Sequence, residues 1–293
     1  METIYSNSRI GHENQLIYLD TERLIGVQSV SLTNNYGLSP VSYVGIGSKE
    51  LNDIPNSELS STFNLSTYLI NKDYFWNLTT GNGSTDMFIL RSVTDRASTY
   101  SILSGYFTDF SCRYSIGNVP EISTTFTSLS NAGPIPSSEI PADTNAKLLI
   151  IALSNPSITG NLAIPFGNSI SLGIADFTTN RVQSFTLSAQ SSKIPVYNMG
   201  IKTAQKIEHQ STKIFLDVSF TMSTYQMNIL RSGGSINGVI RSLNLIAGDY
   251  SNTGNIVAQY KINNLVLTNE AYSAEVNGDV LVSQSYSSKI YPA

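Results

Sequence analysis

Any chemistry this chain carries has to be built from few reactive residues. There are two histidines, His12 and His209, and one cysteine, Cys112. Neither histidine lies in a Cys/His cluster, so no zinc-type ligand set is predicted. One cysteine cannot close an internal disulfide, and a buried packing role is expected for Cys112. The carboxylates Glu50, Asp53 and Glu58 crowd one polar stretch, GSKELNDIPNSEL. A glycosidase would need two such groups facing each other across a cleft. A charge cluster on a loop is more often a solvated face, and no HExxH, P-loop or GxSxG pattern accompanies it. Gly81-Asn82-Gly83 and Ser232-Gly233-Gly234 lack the lysine of a phosphate cradle and read as turns or helix stops. The expectation is a protein that is not an enzyme and uses no cofactor and no metal.

The elements that would position these groups occur twice. Val27–Ile46 and Val182–Ile201 share eight of 20 positions without a gap, at an offset of 155. The shared residues begin with Val27-Gln28-Ser29 against Val182-Gln183-Ser184 and end with Gly45-Ile46 against Gly200-Ile201. Phe63–Ser66 then matches Leu216–Ser219 at 153, and Tyr74, Asn77 and Gly83 match Tyr225, Asn228 and Gly234 at 151. Tyr106 against Tyr260 and Glu121 against Glu275 continue at 154. The period is that of a whole domain, and slipping offsets are what changing loop lengths produce. An internal duplication is expected, with residues 1–129 as a first unit carrying an N-terminal arm, 130–146 as a Pro-rich linker and 147–293 as a second unit.

Within each unit the pattern predicts strands. Val27–Leu32 and Val41–Ile46 read as a hairpin about the turn residues Thr33-Asn34-Asn35-Tyr36-Gly37, and 182–201 reads as its counterpart. Polar loops follow at 47–59 and 202–212, then strands at 62–70 and 213–222. Short helices are expected at Tyr74–Leu78, capped by Asn71 with Asp73 nearby, and at 223–231. Phe75 and Trp76 should anchor the first of these to the sheet. Strands at 87–93, 101–114 and 122–129 complete the first unit, and 237–246, 255–267 and 274–283 the second. Pro134, Pro136 and Pro141 exclude a helix or central strand between the units.

Composition narrows the function. Charged residues make up 13% of the chain, about half the usual quarter, and Ser, Thr and Asn take their place. That suits a β-rich protein, and equally one whose surface is largely covered by copies of itself or a soluble one with a neutral surface. The net charge of −4 argues against gripping nucleic acid by its phosphates. The first residues lack the order of a signal peptide, and the longest apolar run, Leu148–Leu153, is too short to span a bilayer. The loop with Glu50, Asp53 and Glu58 is acidic, whereas its counterpart with Lys202, Lys206, Glu208 and His209 is mostly basic. Loops of opposite sign could meet between copies and fix their register.

These features together resemble the tail tube proteins of bacteriophages. The carriers are Val27–Leu32, the loop 47–59, Thr62–Ile70, Tyr74–Leu78 and Phe110–Phe126 with its Gly117-Asn118-Val119-Pro120 turn. In the second unit they are Val182–Leu187, Lys202–Thr212 and Lys213–Phe220. The resemblance implies a mainly β fold, two tandem copies of a small β-sandwich or half-barrel, each with one short helix. It implies homotrimeric, pseudo-hexameric rings that stack into a hollow tube, with DNA only passing through the lumen. It further implies ring-stacking contacts by Glu50, Asp53, Glu58, Lys202, Lys206, Glu208 and His209. Sheath, tape-measure and tail-terminator proteins are the implied partners, and the virion tail, made in the host cytoplasm, is the implied location, without a membrane. A tail-tip or baseplate hub, or a receptor-binding β-sandwich protein using exposed aromatics, is the alternative.

Overall fold

The computed structural model describes residues 15–20, 22–35, 38–42, 51–55, 60–81, 83–93, 96–128, 133–135, 162–174, 177–196, 206–222, 241–252, 254–274 and 279–290. In the first half the strands are β1 (Gln15–Leu19), β2 (Glu22–Arg23), β3 (Val27–Asn35), β4 (Leu38–Ser42), β5 (Leu51–Pro55) and β6 (Ser60–Tyr68). After helix α1 (Trp76–Thr80) come β7 (Thr85–Val93), β8 (Arg96–Ser115), β9 (Glu121–Ser128) and β10 (Gly133–Ile135). The second half has β11 (Ile170–Ile174), β12 (Phe177–Thr179), β13 (Val182–Val196), β14 (Lys206–Met222), β15 (Arg241–Gly248), β16 (Ile256–Ala274) and β17 (Val280–Ile290). All pairings are antiparallel, and the fold is mainly β with one short helix among the described residues.

The long strands β8 and β16 each serve two layers. The first part of β8 pairs with β7, while its later part pairs with β9; β16 does the same with β15 and β17. The later parts lie in one run of eight strands, β3-β6-β9-β8-β13-β14-β17-β16, and the earlier parts continue into β7-β1-β2 and β15-β11-β12. Strict alternation makes this possible. On β9, Ile122, Thr124, Phe126 and Ser128 are buried while Glu121 and Ser123 are exposed, which is the period of a sheet with one face on a core. One contiguous apolar cluster joins the halves and includes Phe63, Phe107, Phe126, Leu187, Leu216 and Tyr260.

The ladder registers of the two halves coincide. Leu19 faces Glu22 and Met87, and at the corresponding place Ile174 faces Phe177 and Leu243. Leu32 faces Phe63 as Leu187 faces Leu216. Three irregularities coincide too. Between β3 and β6 the ladder skips Gln28, whose Nε2 donates to Gly26 O at 3.0 Å; between β13 and β14 it skips Gln183, whose Nε2 donates to Arg181 O at 3.4 Å. On β8 it skips Thr108, whose hydroxyl donates to Asp109 Oδ2 at 2.8 Å and lies 3.5 Å from Thr125 O, and on β16 it skips Thr268, whose hydroxyl donates to Ser285 O at 2.9 Å. Thr85↔Gly105 followed by Met87↔Ile102 is matched by Arg241↔Leu265 followed by Leu243↔Ile262. A bulge is a local kink with a defined position, so three shared irregularities are more informative than shared strands.

Several expectations need correction. Val27–Leu32 does not pair with Val41–Ile46: β3 runs on through Asn35 and pairs with β6, while β4 pairs with β5. Thr33, Asn34 and Asn35 are turn-forming types, yet they lie on a strand with a polar face, opposite Thr62, Ser61 and Ser60. Likewise β13 is a single strand through Val196 paired with β14, so the counterpart hairpin within 182–201 is absent. The stretches read as loops contain ladder: Leu51–Pro55 is β5, and residues 206–212 begin β14. Tyr106 does not correspond to Tyr260. Tyr106 faces Thr127 and Phe107 faces Phe126, whereas Val266 faces Ser287 and Leu267 faces Tyr286, so the register here is offset by 160. The β15–β16 connection is longer than the β7–β8 hairpin, which absorbs the difference. Within the Pro-rich stretch, Gly133–Ile135 adds a short strand beside β8, and Pro134 is tolerated because that strand has a ladder on one side only among the described residues. The helix expected at 223–231 and the apolar run Leu148–Leu153 lie outside the described residues.

Candidate assembly surface

The eight-stranded run has one face on the core and one face open, and the open face is built mostly from small polar side chains, with Tyr68 and Phe215 also exposed on it. Ser29, Ser31 and Thr33 on β3 lead across Asn64, Ser66, Ser123 and Thr125 to Ser111, Thr186, Ser188 and Gln190. Ser219, Ser283, Ser285 and Ser287 carry the same character to the far side. The first part of this face forms a trough of about 470 Å³. Hydroxyls and amides bond one another across strands: Thr125 Oγ1 donates to Asn64 Oδ1 at 3.1 Å, and Ser184 and Ser219 hydroxyls lie 2.7 Å apart. The face carries charges of both signs, Asp109, Glu121 and Asp217 with Arg113, Lys213 and Lys289; Arg113 faces Glu121, whereas Lys213 faces Lys289. Such a wall is hydrated and close to neutral.

The two halves meet where β8 pairs with β13, from Ser115↔Ser184 to Asp109↔Gln190. Behind this seam Tyr114 stacks with Phe185 at 5.6 Å, and Phe110, Cys112, Leu187 and Ala189 are all buried. Helix α1 lies across the same seam. Trp76 is edge-on to both Phe110 and Tyr260 at 5.3 Å, and Phe75 is buried against Phe107, so both aromatics anchor the helix as expected. The helix is fastened at both ends. Asp73, rather than Asn71, receives the first amides, from Phe75 N at 2.7 Å and Trp76 N at 3.2 Å. Its other oxygen accepts the Tyr260 hydroxyl at 2.7 Å. Asn71 instead binds the second half, exchanging hydrogen bonds with the Ala163 backbone at 2.8 Å. At the other end Lys193 of β13 donates to Leu78 O at 3.0 Å.

Burial governs the ionisation of this group. Desolvation raises the Asp73 carboxyl above its ordinary range, against the pull of its hydrogen bonds. The Cys112 thiol, buried beside Asp73, is pushed far above its usual value and is chemically inert, in line with a packing role. Desolvation lowers the Lys193 ammonium to about 8. This buried cluster reads as a fastening between halves.

The expected stacking residues fall on two hairpin arms. Asp53 lies on β5 opposite Pro40, and Lys206 on β14 opposite Val196. Glu208, exposed, faces Ile194, and His209 faces Lys193. His209 Nε2 is 2.8 Å from Thr212 Oγ1, and burial with the nearby Lys193 charge lowers its pKa. Glu50, Glu58 and Lys202 lie outside the described residues. Among the described residues no group of three or more His, Cys, Asp or Glu could hold a metal, and no helix is long and apolar enough to cross a membrane. Sequence reasoning missed the Asp73–Tyr260 fastening and the β8–β13 seam, because neither contact is local. The alternation of Ser and Thr with apolar residues on β6, β9 and β14 was the available signal for the open face.

No family model matches the sequence, and no curated protein matches it significantly.

Proposed function

We propose that this chain is a structural subunit of a phage tail tube: two tandem copies of one tube-type unit, three chains closing a pseudo-hexameric ring, and rings stacking into a conduit for DNA. The carrying observation is that the halves share their ladder registers and bulges and are joined edge to edge in one sheet. Units that already join in this way within a chain have the geometry to join between chains. Closing such a run into a barrel removes its strand edges, and three chains of eight strands would give a wall of about 24.

The open face suits the lumen. DNA held by many cations would stick, whereas hydroxyls and amides with about equal numbers of acidic and basic groups offer phosphates little net field to bind. The hairpin arms, acidic in the first half and mostly basic in the second, are the proposed ring-to-ring contacts. The hub or receptor-binding alternative has less support, since Trp76 is packed between Phe110 and Tyr260. Negative-stain electron microscopy of purified protein tests the reading. Hollow tubes, or rings with a central hole, are expected. A monodisperse monomer up to millimolar concentration, alone and with tail-initiator complexes added, contradicts it.

A further inference from the structure

The β8–β13 seam uses one edge from each half, and each edge has a counterpart that has no second neighbour among the described strands. The counterpart of β13 is β3, which pairs only with β6 among the described strands. The counterpart of the later part of β8 is the later part of β16, which pairs only with β17 there. These two segments are the outermost strands at opposite ends of the eight-stranded run.

We infer that β3 of one copy pairs antiparallel with residues 271–274 of β16 in the next copy, in the register Val30↔Ala274, Ser31↔Ser273, Leu32↔Tyr272 and Thr33↔Ala271. The register is fixed by the seam within the chain. There Phe185 faces Tyr114, Thr186 faces Arg113, Leu187 faces Cys112 and Ser188 faces Ser111. Subtracting 155 from the β13 residues and adding 160 to the β8 residues, the offsets of the two ladders, gives the four pairs above.

Burial supports the assignment independently. On the core side of β13, Val182, Phe185, Leu187 and Ala189 are all buried; their counterparts Val27, Val30, Leu32 and Asn34 are only half-buried. Across the seam, Phe110, Cys112 and Tyr114 are buried, whereas Glu270 and Ala274 are exposed and Tyr272 is half-buried. Each open segment thus shows the exposure that the matching segment would have without its partner. The contact is heterologous: one copy offers β3 and the next offers β16, so it propagates until the ring closes. The new seam is also more polar than the internal one, since the position of Phe110 is taken by Glu270 and that of Ala189 by Asn34. A more polar seam is the weaker one, so a ring would part between chains before it parts within one.

The inference rests on the tube reading only for closure into a ring; the pairing itself stands on the registers. Cysteines at Ser31 and Ser273 test it, because both side chains are exposed on the polar face and buried Cys112 does not compete. The S31C and S273C single variants are mixed and oxidised with copper–phenanthroline. A heterodimer forming at least tenfold faster than either homodimer, and than the mixture of S31C with N269C, is expected. Equal rates overturn the register. Rings or tubes by microscopy without the S31C–S273C crosslink overturn the edge assignment and leave the tube reading standing. The crosslink in open oligomers, with no ring or tube, keeps the pairing and removes the tube. Neither crosslink nor assembly overturns both.

Discussion

Leu187 and Leu32 occupy the same place in two matching ladders and have different surroundings. Leu187 is closed in by Cys112 across the seam, whereas Leu32 sits half-buried on a strand with a neighbour on one side only among the described strands. Intrinsic strand propensity is the same at both, so the difference in burial comes from the neighbour alone. The lesson is that burial along this strand depends on a neighbour, and on the proposal above that neighbour at β3 is a second copy. That is economical for an assembling protein and hazardous for an isolated one, since open edges template further pairing.

The sharpest way to break the comparison is truncation. Leu187→Ala should cost the isolated chain about 3–4 kcal/mol, the range for a fully buried leucine, while Leu32→Ala should cost about 1 kcal/mol. Denaturant melts at low protein concentration measure both. In assembly the order should reverse in importance, with Leu32→Ala lowering the assembled fraction despite its mild melt. Equal costs in the isolated chain would mean that β3 is already covered.

A second contrast concerns one ladder position filled differently in each half. Gly105 has no Cβ because one would lie 2.1 Å from the Phe126 ring, whereas Leu265 fills the matching place fully buried. Gly105→Ala should therefore destabilise by about 3 kcal/mol, and pairing it with Phe126→Leu should recover much of the loss. A neutral Gly105→Ala melt would show that the ring can move aside.

Next in size is the fastening across the seam. Tyr260→Phe removes the hydroxyl that Asp73 accepts and leaves a buried carboxyl oxygen with one partner fewer. A loss of about 1–2 kcal/mol is expected. Adding Asp73→Asn should make the effects non-additive, which a double-mutant cycle reads directly.

The smallest effect is a pH slope. Lys193 has its folded pKa lowered to about 8 from the ordinary 10.5, so the unfolded chain binds more protons between those values. Stability therefore rises with pH there, the penalty of the buried ammonium being fully present below about 8. Lys193→Met should flatten the slope between pH 8 and 9.5, below the range where tyrosines ionise. An unchanged slope would show that Lys193 is better hydrated than its position across the end of α1 implies.

Much of this fold was readable in the chain, and the failures have definite causes. The match at 155 rests on eight identities in 20 ungapped positions, and two of them, Gln28 and Gln183, lie at matching skips in their ladders with the same side-chain-to-backbone bond. It was lost at β8 because the longer β15–β16 connection moves the true offset to 160, while two unrelated tyrosines, Tyr106 and Tyr260, happen to align at 154. The hairpin was misplaced because Thr33, Asn34 and Asn35 favour turns in isolation but serve as well on an open strand face. Asp73 reads from sequence as an acid near the helix start; its capping bonds to Phe75 N and Trp76 N are local, and only its bond to Tyr260 lies beyond any local pattern. Low charge content pointed to a neutral surface, but which strands would share it depended on pairings that no local pattern encodes.

The central claim is that one seam, formed once inside the chain, is formed again between chains. Hydrogen exchange of backbone amides in β3, compared between dilute chain and assembled particles, tests it most directly. In dilute chain, β13 amides at Phe185–Ser188 should be protected throughout, while the amides of Val30–Thr33 not bonded to β6 should exchange readily. On assembly those amides, and those at 271–274, should slow by at least 100-fold. Unchanged exchange at Val30–Thr33 in particles that have demonstrably assembled would contradict the account.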